Sequence, residues 1–201
     1  MKNTKTAIFI LSALMVTTSV LSAENAGDPS LIQEQCKSSS EITTLRDFTN
    51  SSERWLDSTI LIGRDLGGTK ISVNIHNQSL NYGQFLTQLN INGFTAYKSN
   101  DYIQVIDLRG IRSAPIPVVE QGKSYFDDEY VTDYIKTEKA CARTMLITTR
   151  PLVPQYSSLA AHQNAHMLVV VDTYKNVQRL KLIINAIEKN IATPEVCSDN
   201  E

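Results

Sequence analysis

Two neighbouring stretches, Thr59–Ile75 (TILIGRDLGGTKISVNI) and Ser79–Phe94 (SLNYGQFLTQLNINGF), decide how this chain folds. In the first, the short apolar run Thr59–Ile62 is ended by Gly63, and Gly67-Gly68 mark a turn. Ile71, Val73 and Ile75 then alternate with polar residues, the period-two signature of a strand over Lys70–Ile75. In the second, Tyr82, Phe85, Leu86 and Leu89 are spaced as one face of a helix. Ser79 and Asn81 are candidate caps, and Gly93 stops the helix. Beyond it, Thr95–Lys98 and Tyr102–Asp107 flank Ser-Asn-Asp and read as a hairpin. Upstream, Glu41–Leu56 admits two readings, a strand followed by a short helix or one broken helix.

The stretch Arg109–Asp128 lacks periodicity, carries Gly110, Pro115, Pro117 and Gly122, and runs into Asp127-Asp128-Glu129. It reads as a boundary with no apolar face to bury. A second unit follows. Tyr130–Lys136 alternates as a strand, and Ala140–Arg150 reads as a helix closed by Pro151 and Pro154. Leu159–His162 and Met167–Val171 bracket Gln-Asn-Ala as a hairpin. Asp172 or Thr173 caps a last helix striped by Val177, Leu180, Ile183, Ile184 and Ile187. The class is α+β, in two small domains: 41–108 with mixed sheets and helices, and 129–190 with the order βαββα.

The ends are different in kind. Lys2 and Lys5 precede the apolar run Ala7–Val16, so residues 1–23 read as a secretory signal peptide. No cysteine stands beside the cleavage region, which argues against a lipoprotein. Residues 24–40 are a polar, flexible arm, 109–128 a linker, and 191–201 a C-terminal tail. Losing the signal removes two lysines and no acid, taking the net charge from −2 to −4. That balance argues against nucleic acid as a partner. No later run is long enough to enter a membrane once the signal is gone.

In the order given, Thr59–Val73 with Ser79–Phe94 resembles the first periplasmic domain (N0) of type II secretion secretins. Tyr130–Tyr134, Arg150–Gln155, Ser158–His162 and Met167–Thr173 with the Val177 helix resemble the second (N1), and Ile116-Pro-Val fits the linker. The resemblance covers about residues 55–190; no single motif is diagnostic, and residues 41–58 match poorly. No counterpart of the secretin pore-forming domain is legible in the chain. What the resemblance implies is a KH-like second domain and a periplasmic, non-enzymatic protein of the secretion machinery. The implied partners are an inner-membrane component, the secretin itself, or further copies of the chain in a ring. A secreted effector or small hydrolase is the alternative.

Candidate chemistry is sparse. His162 and His166 are four apart beside a predicted turn, with no third ligand in sight, so no metal is assigned. Gly63–Lys70 lacks the order of a phosphate loop and leads into a strand where such a loop needs a helix. No nucleophile elbow or Cys-His pair has a recognisable context, and no catalytic or cofactor-binding residue is assigned. Residues 129–190 also lack the Gly-x-x-Gly loop with which KH folds clamp phosphates. Cys36, Cys141 and Cys197 leave one odd thiol. The expected disulfide joins Cys36 to Cys197, tying the two polar tails, with Cys36–Cys141 as the alternative and Cys141 otherwise a buried thiol.

Overall fold

The computed structural model describes residues 41–74 and 79–197. The signal-like segment, the arm with Cys36, and Ile75 all lie outside them. The ambiguous stretch resolves into strand β1 (Glu41–Thr44) and helix α1 (Leu45–Leu56), joined by Thr44, whose side chain accepts from the Asp47 N–H at 3.2 Å as an N-cap. Strands β2 (Thr59–Ile62) and β3 (Lys70–Val73) follow, then helix α2 (Tyr82–Ile91) and the hairpin β4 (Phe94–Lys98) and β5 (Tyr102–Asp107). Asn81 and Gln84 form a reciprocal capping box at the start of α2, and Gly93, at φ +83°, takes the left-handed turn that leads out of it.

These strands do not form one sheet. β1 and β3 pair antiparallel as a two-stranded sheet, while β2, β5 and β4 form a second, with β2 parallel to the central β5. β3 therefore lies in a different sheet from β2 and β5. The seven-residue connection between β2 and β3 folds back on itself, with Leu66 N–H on the Gly63 C=O and Thr69 N–H on the Leu66 C=O, and delivers β3 to β1 instead. A Cβ at Gly67 would lie 2.5 Å from the Arg46 guanidinium, the far end of an exposed side chain that is free to swing aside. Leu45, Phe48, Ile71, Phe85, Leu86, Leu89 and Ile103 are buried between the two sheets and helices, with the Phe48 and Phe85 rings stacked at 5.5 Å.

The second half runs β6 (Tyr130–Lys136), α3 (Ala142–Thr149), β7 (Ser158–His162), β8 (Met167–Thr173) and α4 (Tyr174–Asn190), the expected βαββα order. Its sheet is antiparallel in the order β6-β8-β7. Both helices cover one face and bury Val131, Met145, Leu168, Val170, Val177, Leu180 and Ile184. Thr173 caps α4, and Asp172 beside it holds the Thr173 N–H and the Asn176 amide.

The segment between the halves is not bare of apolar surface. Leu108–Ser113 forms a 3-10 turn, and Ile111 and Ile116 are buried with Tyr97, Leu108 and Tyr130 in a third cluster shared by both halves. The proline and glycine content hid two isoleucines that a hydropathy window averages away. The expected disulfide is also corrected. Cys197 bonds Cys141, with Cα atoms 5.5 Å apart. After α4 the tail turns back along Lys139–Cys141. Glu195 N–H donates to the Lys139 C=O at 2.7 Å, and the Glu195 carboxylate accepts from the Cys141 N–H at 2.9 Å. Those bonds bring Cys197 to the head of α3, a meeting invisible to a reading that took Cys141 as buried in a helix face.

Candidate functional site

Strand edges are the places where this fold leaves backbone donors and acceptors to be satisfied, and the edges differ in what covers them. The β3 edge is closed by α2. The Asn92 amide accepts from the Ser72 N–H at 2.9 Å and donates to the Ser72 C=O at 2.8 Å, as a neighbouring strand would, and Gln88 accepts from the Asn74 N–H at 3.1 Å. The β2 edge is blocked at its centre, where the Glu53 carboxylate takes the Ile60 N–H at 2.7 Å. The β4 edge is buried from Phe94 to Tyr97, and the Tyr82 hydroxyl reaches the Ala96 C=O at 3.5 Å. Burial pushes the Tyr82 hydroxyl pKa well up, with the Glu129 charge adding to it, so this phenol stays protonated and available as a donor.

In the second half, Pro117–Val119 runs beside β6. The Thr132 N–H donates to the Pro117 C=O and the Val119 N–H to the Thr132 C=O, both at 2.8 Å. Further along β6, the Tyr134 N–H is turned onto its neighbour's carboxylate, Asp133, at 2.8 Å. The β7 edge, at Leu159 and Ala161, has no such cover among the described residues.

The β1 edge is the counterpart of the sealed β3 edge. Ile42 pairs with Ser72, whose backbone groups face outward to Asn92. In an antiparallel ladder the paired residue then turns its own N–H and C=O to the opposite edge, so Ile42 and, two residues on, Thr44 aim theirs away from β3. Thr44 is also the N-cap of α1, which takes up its C=O, so this edge offers the Ile42 pair and the Thr44 N–H, and no turn or loop backbone among the described residues bonds to them. Ile71 and Val73 point into the core, which leaves the Ile42 side chain on the other face, 73% exposed. Ser72 and Lys70, paired with Ile42 and Thr44, share that outer face with it. Chemically, this edge can take one extended segment through main-chain hydrogen bonds and offer an apolar contact beside it.

The histidines singled out by spacing do different things. His162 Nδ1 accepts from the Ala165 N–H at 3.3 Å, and His166 turns the hairpin at φ +49°. Among the described residues no three His, Cys, Asp or Glu side chains gather as a metal site. Asn92, Gln88 and Glu53, which seal the β3 and β2 edges, carry no signal in the sequence beyond being polar residues on or beside a helix; the helix stop read there was Gly93. The open strand itself fell in the stretch that admitted two readings.

No family model matches the chain. It is 24% identical over 147 residues to secretin XcpQ of Pseudomonas aeruginosa, covering 72% of this chain and 22% of that protein. It is 26% identical over 157 residues to secretin OutD of Dickeya dadantii, covering 73% and 21% respectively. The chain thus spans about a fifth of the length of the curated relatives it matches. Among solved structures it superposes with TM-score 0.63 and 23% identity on a chain of the Klebsiella pneumoniae type II secretion system outer membrane complex of PulD, PulS and the PulC HR domain. That match covers 76% of this chain and 26% of the other. None of the described helices is long and apolar enough to cross a membrane. Over about 73% of its length this chain is homologous to the type II secretion secretins, and its α+β fold superposes on about a quarter of a chain of the PulD, PulS and PulC HR domain complex.

Proposed function

We propose that this chain is an exported, periplasmic, non-enzymatic interaction protein of a type II secretion system, an adaptor or assembly component that takes up a strand from a partner domain at β1. The observation that carries this reading is the asymmetry of the small sheet. Side chains of α2 close the β3 edge, while the β1 edge presents the Ile42 backbone pair and the Thr44 N–H beside an exposed isoleucine. A two-stranded sheet is marginal in water, and a third strand completes it. The solved complex that contains PulD also contains PulS and the PulC HR domain, which supports another protein of the secretion machinery as the class of partner. The chain departs from its relatives in matching only about a fifth of them, so the pore function of a full secretin is not carried over.

The test is photocrosslinking in periplasm, with the reactive residue placed at Ile42 or, as a control on the far side of α2, at Ile91. Crosslinks from position 42 to a secretion component, abolished by proline at Thr44, support the reading. Equal labelling from both positions, or capture of no secretion component together with unchanged secretion in a deletion strain, refutes it. Fractionation to the periplasm is part of the same claim.

A further inference from the structure

The acidic segment Phe126–Glu129 touches both halves of the molecule through groups that each half needs. Toward the first half, the Phe126 ring stands edge-on to Tyr82, centroids 5.6 Å apart, and lies so close to Gly83 that a Cβ there would sit 2.7 Å from its edge carbon. The Thr87 hydroxyl donates to the Asp128 carboxylate, and the Asn90 amide donates to the Asp128 C=O at 2.9 Å. All four partners lie on α2. Toward the second half, the opening N–H groups of α4 are satisfied by the same segment. Tyr174 N–H donates to the Glu129 C=O at 2.8 Å and Lys175 N–H to the Asp127 C=O at 3.0 Å, with the Asp127 carboxylate 3.5 Å from the Lys175 ammonium.

A second tie runs the other way. The Arg112 guanidinium, from the 3-10 turn that follows β5, donates to the carbonyls of Gln155, Tyr156 and Ser157 just before β7. Three carbonyls converging on one guanidinium are strong acceptors for it. Between the two ties lies the shared cluster of Tyr97, Ile111, Ile116 and Tyr130.

We infer that Phe126–Glu129 is a lock that joins the two halves into one lever, with Thr87–Asp128 and Gly83–Phe126 as its working contacts. The exposed tip Glu120–Ser124 just ahead of it carries none of these contacts. A partner seated anywhere on the first half therefore repositions the second half with it. The inference is independent of which edge binds a partner.

The experiment uses the full mature protein, nicked once at a protease site placed in 120–124. Neither fragment is tied to the other through the Cys141–Cys197 bond, since both cysteines lie on the same side of the nick. The nicked protein is expected to elute as one body under native conditions. Phe126→Ala with Thr87→Val should weaken fragment association at least tenfold, and Thr87→Ser, which keeps the hydroxyl, should restore it. Gly83→Ala gives the separating readout. Alanine favours the helix that glycine disfavours, so α2 is expected to hold its helicity while the fragments part more easily. Separation of the unaltered nicked protein, or double-variant fragments that stay together as tightly as the parent, overturns the lock.

Discussion

The two halves reach the same end, a covered sheet with few free edges, by different chemical means. In the first half the covers are single side chains. Asn92 and Gln88 close β3 and Glu53 blocks β2, each through one or two hydrogen bonds. In the second half side chains serve too, with main chain and a covalent bond added to them. The Glu188 carboxylate accepts from the N–H groups of Glu138, Lys139 and Ala140, Pro117–Val119 runs beside β6, and a disulfide pins the tail to α3. A side-chain cover can be exchanged for a partner's backbone with no covalent bond broken, whereas the tail held by the disulfide cannot leave that way. The difference teaches where this molecule is built to be added to, at the bare β1 and β7 edges and at edges sealed by single side chains, and where it is built to be closed, at the tail.

The largest effect that bears on this contrast is in the cores. Phe85 is fully buried and stacks on Phe48, so Phe85→Ala should cost about 3–5 kcal/mol. Denaturant unfolding measures it. A loss below about 1 kcal/mol would show that the first half has little packed core for its side-chain covers to protect. Next comes the disulfide. Replacing Cys141 and Cys197 by serine opens a loop of sequence separation 56 and should cost about 2–4 kcal/mol. Amide exchange should place that loss in the second half, with β1 to β5 protected as before. Uniform loss across both halves would dissolve the contrast and favour the lock as the dominant coupling.

A smaller effect is expected at the side-chain cover. Asn92→Ala removes two hydrogen bonds to Ser72 and should cost about 1–2 kcal/mol, while making β3 a second open edge. Increased self-association measured by sedimentation is the expected sign, and an unchanged monomer with unchanged stability would mean that the amide covers nothing of consequence.

The pH dependence separates the halves again. Burial holds the Asp172 carboxyl above its usual range despite the Asn176 and Thr173 donors. A raised folded-state value means that its contribution is fully present below the unfolded-state pKa and is lost as pH rises through the folded-state one. Melting curves from acid toward neutral pH should show that loss in the parent and a flatter profile in Asp172→Asn. Asp107, in the first half, behaves oppositely, because hydrogen bonds from Arg109 hold its carboxyl below the usual range. Its contribution is present above the unfolded-state pKa and lost as pH falls through the folded-state one. Arg109 is exposed, so Arg109→Ala should leave the melting temperature near that of the parent at neutral pH, the smallest effect of the set.

Local pattern alone determined much of this protein. The period-two run read over Lys70–Ile75 became a strand over Lys70–Val73, that at Tyr130–Lys136 became a strand, and Met167–Val171 became an arm of its hairpin, while the helix-spaced apolar faces at Tyr82–Leu89 and Val177–Ile187 became helices, because a residue's burial on either element depends on its near neighbours in sequence. The order of those elements carried the resemblance and the α+β class. Tertiary structure decided what joins at long range. It sent β3 to β1 rather than to β5, buried Ile111 and Ile116 between the halves, and paired Cys197 with Cys141. It also made Asn92 a surrogate strand for Ser72, twenty residues away. Each of these contacts is made where chain reversals bring distant backbone together, and periodicity within one element holds no record of its neighbour across the fold.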